Sequence, residues 1–199
     1  SIDIFSTWAQ IYGNDIEWFE GGYVYVAYRD REEKILKELL IKQKSFGLNI
    51  DWLASSDLLT VVPDLNPVGL LGGTFSPKDG SASPLLAIHG FYTHAIRLGA
   101  EFHFREPVTG IIVEAGKVKT VQTTQGSYST RLVINAAGPW AKQVGQFTGL
   151  DLPVNPDSHE SAITEAVARF LMPMIVDIRP APGSSNYYFY QHITGQIVF

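Results

Sequence analysis

The stretch "PVTGIIVEAGKVKTVQTTQGSYSTRLVINAAGPWA", residues 107–141, decides the fold class of this sequence. It contains short runs of β-branched and apolar residues separated by glycine, which is typical of antiparallel strands joined by tight turns. The last run, from Leu132 to Ile134, is wholly apolar and predicts a buried strand. A helix is predicted near 139–148, so a strand–turn–helix unit follows an antiparallel meander.

The composition of the 199-residue chain narrows the class of protein. With 45% hydrophobic and 18% charged residues, the chain is globular rather than disordered. The net charge is −5 and the basic residues are scattered, which argues against a nucleic-acid partner. Cysteine is absent, which excludes disulfides and fits a reducing, cytoplasmic compartment. No apolar run approaches the roughly 18 to 20 residues that a membrane span needs.

The first third of the chain mixes helical and strand patterns. Apolar residues at helical spacing predict one amphipathic helix over 2–12. The segment "IEWFEGGYVYVAYRD" predicts two strands joined as a hairpin at Gly21-Gly22. Asp30 is the expected cap of a long helix that ends at Gly47.

The next segments continue this mixture. A short helix is expected to end at Pro63, and Ser83 and Pro84 suit the first positions of a long helix that runs to Leu98. After it, "EFHF" predicts a strand ahead of the meander, and "HESAITEA", "PMIVDI" and "NYYFYQHITGQIVF" predict strands in the last third. The sum is an α+β fold with mostly antiparallel strands.

The turn after the apolar run has very small side chains. Ala136, Ala137 and Gly138 let a ligand approach the backbone closely, and Pro139 suits the first position of the following helix. Backbone N–H groups at such a turn can face an anionic ligand. Plain close packing of a strand on a helix explains the same residues, and physical reasoning alone leaves both interpretations open.

Three stretches together resemble the D-amino-acid oxidase (DAO) family of FAD-dependent oxidoreductases, which includes sarcosine oxidase, glycine oxidase and dimethylglycine dehydrogenase. They are "GGYVYVAYRDREE", "PKDGSASPLLAIHGFYTHAIRLGAEF" and, most specifically, "VINAAGPWAKQVGQFTGLDLPVNP". The resemblance implies FAD as cofactor. The family's G-x-G-x-x-G loop does not occur here, so the chain is expected to be an internal piece that is inactive alone and does not retain FAD.

The resemblance also implies a domain organisation and cofactor contacts. Residues 1–106 correspond to the first part of the substrate-binding domain, 107–150 to strands and a helix that complete the FAD domain, and 151–199 to further substrate-domain strands. Val108 is expected near the adenine, and Ala136, Ala137 and Gly138 near the ribose and pyrophosphate. Trp140 is expected to pack beside them.

Substrate contacts are expected on the aromatic strand "NYYFYQHITGQ". Strand alternation places Tyr188, Tyr190 and His192 on one face, and the family uses an equivalent strand for substrate contacts. The alternative is an edge strand whose aromatic residues are half in water. His159 is a further candidate beside the flavin or a substrate carboxylate, although a solvated turn histidine fits equally well. The histidines lack metal-ligand spacing, so no metal is expected.

The resemblance implies oxidation of the C–N bond of a small amine or amino acid by hydride transfer to flavin. Two alternatives stay open: a binding module without catalysis, and an FAD enzyme that acts on a 2-hydroxy acid or glycerol phosphate. Apolar residues near 108–113 and 132–137 are expected to lack their usual neighbours, which favours association into a homodimer or a hetero-oligomer.

Overall fold

A computed structural model describes residues 2–158, 160–184 and 186–199. The chain divides into two units, a larger unit of Ser1–Gly99 with Ser161–Phe199 and a smaller unit of Ala100–Glu160. Among the described residues, the larger unit contains a six-stranded sheet and five helices, and the smaller unit contains a three-stranded sheet and one α-helix. All strand pairs but one are antiparallel, which confirms the α+β prediction.

The larger unit alternates helices and strands along its first hundred residues. In chain order these are helices α1 (Ile2–Ser6) and α2 (Trp8–Tyr12), strand β1 (Tyr23–Ala27), helix α3 (Asp30–Ser45), strand β2 (Asp51–Ala54), helix α4 (Ser55–Val61), strand β3 (Gly72–Ser76) and helix α5 (Pro84–Arg97). The last part of the chain adds β7 (Met174–Asp177), β8 (Tyr187–Gln191) and β9 (Ile197–Val198). The strand order in the sheet is β2-β3-β1-β7-β8-β9.

The smaller unit is built from local connections. It contains β4 (Val108–Glu114), β5 (Lys117–Thr123) and β6 (Ser127–Ser129), which pair in that order as an antiparallel meander. A 3₁₀ turn over Gly138–Trp140 leads into helix α6 (Ala141–Gln146). The meander is therefore as the glycine spacing predicts.

One face of the larger sheet forms the main core. Val24 and Val26 of β1 and Ile175 of β7 are buried there. They pack in one cluster with Leu58 of helix α4 and with Val62, which follows the last residue of that helix. Gly73 allows this contact, because a side chain on it would meet the Tyr25 carbonyl oxygen at 2.3 Å and Leu58 Cδ2 at 3.0 Å. The helix therefore packs against a strand that has no side chain at the point of closest approach.

A second cluster joins the N-terminal helices to helix α5. Trp8, Ile16 and Ala87 are buried in it. Helix α5 begins as the sequence predicts, because the Ser83 hydroxyl accepts a hydrogen bond from the Leu86 amide at 3.4 Å and Pro84 occupies the first turn.

The predicted hairpin at Gly21-Gly22 is wrong. Strand β1 pairs instead with β3 and, in parallel, with β7. The two glycines serve close approach rather than chain reversal, because a side chain on Gly21 would meet the Met172 carbonyl oxygen at 2.2 Å. The Gly22 amide donates to the Asp79 carbonyl oxygen at 2.7 Å.

The predicted buried strand at Leu132 to Ile134 is also wrong. These residues form no regular strand, and Leu132 and Ile134 are 74% and 83% exposed. Backbone pairing with β5 ends where the Thr130 amide donates to the Lys119 carbonyl oxygen at 3.0 Å. Beyond that point, no strand among the described residues is hydrogen-bonded to this segment, so its apolar sequence alone does not make a strand.

Smaller differences concern the ends of elements. The predicted helix over 2–12 is divided at Thr7, whose hydroxyl donates back to the Asp3 carbonyl oxygen. Asp30 is the first residue of helix α3 rather than its cap. The "EFHF" segment is not a strand, and "HESAITEA" is reduced to a single bridge between Ile163 and Val198 among its described residues.

Candidate functional site

Four tyrosines share the face of the larger sheet opposite the main core. Strand pairing places Tyr25 beside Val176 on β7, and Val176 beside Tyr188 on β8. Tyr23 and Tyr190 lie two residues along their strands and therefore point to the same side. We call Tyr23, Tyr25, Tyr188 and Tyr190 the tyrosine face. Its four side chains therefore form two rows across the sheet, one with Tyr25 and Tyr188 and the other with Tyr23 and Tyr190.

Two hydroxyls of the tyrosine face, those of Tyr23 and Tyr190, have raised pKa values. Burial, reinforced by the Tyr25 hydroxyl, raises the pKa of Tyr23 well above its ordinary value. Burial, followed by the nearby Tyr188, raises the pKa of Tyr190. The rings of Tyr23 and Tyr25 lie 5.3 Å apart at 33°. At neutral pH Tyr23 and Tyr190 therefore offer neutral O–H donors beside apolar ring surface.

A narrow cleft opens at one end of the tyrosine face. Tyr23 and Tyr190 line it together with Gly22, Gly80 and Met174. The cleft brings together side chains from strands that are far apart in sequence. Tyr23 is a residue that sequence reasoning missed, although the alternation in "YVYVA" places Tyr23 and Tyr25 on one face and contains the signal.

The other two residues predicted to contact substrate are His192 and His159. His192 follows the end of β8, and its Nδ1 atom lies 2.6 Å from the Thr194 hydroxyl and accepts from the Thr194 amide at 3.3 Å. The imidazole therefore organises the turn between β8 and β9. His159 lies outside the described residues.

Gln191 is the buried polar residue at the end of β8. Its Oε1 accepts hydrogen bonds from the amides of Phe170, at 2.9 Å, and Leu171, at 3.1 Å. Its Nε2 donates to the carbonyl oxygens of Ala168, at 3.1 Å, and Gly195, at 3.0 Å. One amide side chain thus fixes two irregular segments against the tyrosine-bearing strand.

Two arginines in the last third already have partners. The Arg179 Nε atom donates to the Asp177 carboxylate at 2.8 Å, and its guanidinium lies 4.4 Å from the centre of the Tyr28 ring. The Arg169 guanidinium lies 3.8 Å from the centre of the Phe19 ring. Both cations are engaged within the larger unit.

The cofactor candidates all lie in the smaller unit. Val108 begins β4 and is 38% exposed, and Trp140 ends the 3₁₀ turn and is 64% exposed. Ala136 and Gly138 are exposed, and Gly138 adopts a φ of 52°, where an added Cβ atom would have no neighbour within 4 Å. The backbone of this turn is open to a ligand.

Beside this turn lies an apolar cavity of about 540 Å³ within the smaller unit. Its walls are the inward face of the meander, the irregular segment after it and helix α6 with the following loop. Residues from these three parts include Ile111, Val113, Val133, Asn135, Val144 and Leu150. The Asn135 side chain stabilises the turn, because its Nδ2 donates to the Ala141 carbonyl oxygen at 2.8 Å and its Oδ1 accepts from the Ala137 amide at 3.3 Å.

The carboxylate of Glu106 and its hydrogen-bond partners lie at the edge of the meander. The side chain of Glu106 is 4% exposed and accepts hydrogen bonds from the hydroxyls of Thr123, at 2.5 Å, and Tyr128, at 2.8 Å. His103 Nδ1 lies 3.1 Å from the other carboxylate oxygen. The bonds from Thr123 and Tyr128 are the main reason that the pKa of Glu106 is lowered.

Metal-binding clusters and membrane-spanning helices are absent from the described part of the chain. Within residues 2–158, 160–184 and 186–199, no group of three or more histidine and carboxylate side chains is arranged to hold a metal ion. Over the same ranges, no helix combines the length and the apolar character needed to cross a bilayer.

The whole chain matches a known protein family. The family profile described as FAD dependent oxidoreductase (DAO) matches residues 1–199. Mitochondrial sarcosine dehydrogenase of Mus musculus is 26% identical over 179 residues, which are 83% of this chain and 20% of that protein. Glycine oxidase of Geobacillus kaustophilus is 28% identical over 155 residues, which are 77% of this chain and 41% of that protein.

A solved structure shares the fold over almost the whole chain. L-proline dehydrogenase from P. horikoshii superposes with a TM-score of 0.83 at 24% identity, over 99% of this chain and 52% of that one. The present chain therefore spans less than half of the two curated relatives and about half of this solved structure.

Proposed function

This chain belongs to the DAO family of FAD-dependent oxidoreductases, and on that premise we propose that the whole protein oxidises the C–N bond of a small amine or amino acid. The relatives named sarcosine dehydrogenase and glycine oxidase support an amine substrate. The observation that carries the proposal is the tyrosine face, where four phenol groups from two separate parts of the chain converge.

The turn in the smaller unit fits one wall of an FAD site. Methyl side chains at Ala136 and Ala137 and the bare backbone of Gly138 leave open space beside the main chain. In our proposal these residues with Val108 contact the cofactor, and Trp140 packs beside it. When bound, FAD supplies the redox chemistry by accepting a hydride from the carbon next to the substrate nitrogen.

The tyrosine face supplies binding and orientation. In our proposal the hydroxyls of Tyr188 and Tyr190 donate hydrogen bonds to the substrate, most strongly to a carboxylate. The raised pKa of Tyr190 keeps its proton in place, so this residue positions the substrate and does not act as a base. His192 has a smaller role, because Thr194 holds its Nδ1.

Substitution on β8 tests this assignment in the whole protein with FAD bound. We expect Tyr190→Phe to raise KM for the preferred amine about tenfold, because a hydrogen bond to a charged substrate group is lost. Tyr187→Phe is the matched control, since Tyr187 lies on the same strand with the opposite orientation and is 52% exposed. Equal effects of the two substitutions would remove the tyrosine face from the substrate site.

The choice of substrate class needs a direct assay. The whole protein is incubated with sarcosine, glycine, dimethylglycine, proline and lactate, and flavin reduction is followed by absorbance. We expect reduction by at least one of the amines. Reduction by lactate alone would favour the hydroxy-acid alternative, and no reduction by any of them would favour a binding module. The 199-residue chain alone is expected to purify without colour.

A further inference from the structure

A second concave surface of the larger unit lies where helix α1 meets the start of β1. This cavity of about 400 Å³ is lined by three aromatic side chains, two aliphatic ones and one carboxylate, which are Phe5, Trp18, Tyr23, Ile2, Ala82 and Asp79. We call it the Asp79 cavity. It shares Tyr23 with the tyrosine face and is otherwise lined by residues that take no part in the proposed oxidation.

Backbone hydrogen bonds hold two walls of the Asp79 cavity in place. The Phe19 amide donates to the Ser81 carbonyl oxygen at 2.8 Å, and the Ser81 amide donates back to Phe19 at 2.9 Å. The Gly22 amide donates to the Asp79 carbonyl oxygen at 2.7 Å. The segments around Trp18 and Asp79 are therefore fixed to each other before any ligand arrives.

Glycine at position 80 shapes the same site. A side chain there would meet the Trp18 ring at 2.8 Å and the Phe19 carbonyl oxygen at 2.3 Å. The indole thus lies directly against the backbone next to Asp79. The Trp18 ring also lies near Phe5, at a centroid distance of 6.1 Å and an interplanar angle of 18°. Two of the aromatic walls are therefore in contact with neighbouring groups of the larger unit.

Asp79 is a half-buried carboxylate that forms no ion pair within the part of the chain that the structure describes. Burial raises the pKa of its carboxyl group, and a hydrogen bond with Ser76 offsets only part of that effect. A negative charge in apolar surroundings is costly unless an opposite charge accompanies it.

We propose that the Asp79 cavity binds an organic ammonium ion, with the carboxylate of Asp79 neutralising its charge and the rings of Phe5, Trp18 and Tyr23 contacting its carbon groups. Aromatic faces attract such cations through the negative potential above the ring. A small, strongly hydrated metal ion would lose its water shell against these rings, whereas an uncharged molecule would leave the carboxylate uncompensated. The proposal is independent of the oxidation proposed above, because it requires neither flavin nor turnover.

Titration with tetramethylammonium chloride tests the charge requirement on the whole, unsubstituted protein. The indole N–H resonance of Trp18 is followed by NMR at constant ionic strength. We expect a saturable shift with tetramethylammonium and none with tert-butanol, which has a similar shape and no charge. An equal response to tert-butanol would show an apolar pocket rather than a cation site. Absence of any saturable shift would show that the cavity binds no such ion.

Three variants locate the binding determinants. Asp79→Asn is expected to weaken tetramethylammonium binding about tenfold, because the opposite charge is removed. Binding to Trp18→Leu, followed through the shift of the Gly80 amide, is expected to be about threefold weaker because one aromatic wall is lost. Asp64→Asn is the matched control, because Asp64 is exposed and lies outside the cavity. Unchanged affinity in a folded Asp79→Asn variant would overturn the proposal.

Discussion

Strands β1 and β4 both contain β-branched residues but differ in burial. Val24 and Val26 of β1 are 0% and 2% exposed, whereas Ile112 and Val113 of β4 are 38% and 40% exposed. Ile111 is the only large apolar side chain that is buried in residues 100–158. The difference lies in what covers each sheet: helix α4 packs on the larger one, and an open cavity faces the smaller one. β-Branched residues predict a strand, but they do not determine whether its face is covered.

The largest expected effect contrasts a leucine from each unit. Leu58→Ala should lower the free energy of unfolding by about 2–5 kcal/mol, because Leu58 is fully buried and its removal leaves a cavity. Leu132→Ala, the matched control in the smaller unit, should change it by less than about 0.5 kcal/mol, since Leu132 is 74% exposed. Urea unfolding measures both. Similar losses would show that the segment around Leu132 is covered in solution, by a second copy or another chain.

Two glutamines, one in each unit, allow the same comparison between a buried and an exposed polar side chain. Gln191→Leu should cost about 2–3 kcal/mol, because the amides of Phe170 and Leu171 lose their shared acceptor. Gln122→Leu in β5 should be nearly neutral, since that side chain is exposed. Unfolding midpoints are compared, with hydrogen exchange of the two amides as a local readout. Unchanged protection of those amides in Gln191→Leu would contradict the assigned hydrogen bonds.

The smallest expected effect concerns pH and the smaller unit. Hydrogen bonds from Thr123 and Tyr128 lower the folded-state pKa of Glu106, so the ionised carboxylate stabilises the fold above its ordinary pKa. That stabilisation is lost as the pH falls through the lowered value. Urea unfolding followed at the Trp140 indole should show this acid dependence in the unsubstituted chain and in Glu101→Gln. Glu106→Gln should show less of it, and an unaltered acid profile in that variant would disprove the role of Glu106.

Much of the fold follows from local sequence. Helix α3, helix α5 and the β4–β6 meander are predicted because apolar spacing, the Ser83 cap of α5 and glycine turns are properties of neighbouring residues. The predicted hairpin at Gly21-Gly22 failed for a long-range reason. Glycine is needed at these positions because the backbones of Met172 and Asp79, which are remote in sequence, contact them closely. A turn and a close approach call for the same residue type, so sequence alone does not separate them.

The candidate site also has one part that the local sequence predicts and one part that only the tertiary structure reveals. Strand alternation predicts that Tyr188 and Tyr190 share a face. The stretch around "VINAAGPWA" carries the resemblance to the DAO family, which the family match confirms. The parallel pairing of β1 with β7 adds Tyr23 and Tyr25 to that face. The Asp79 cavity brings together helix α1 and two segments about 60 residues apart, around Trp18 and Asp79. Periodicity records which way a side chain points from its own strand. Which strands become neighbours is decided by packing and by hydrogen bonds between distant segments, so only the tertiary structure reveals it.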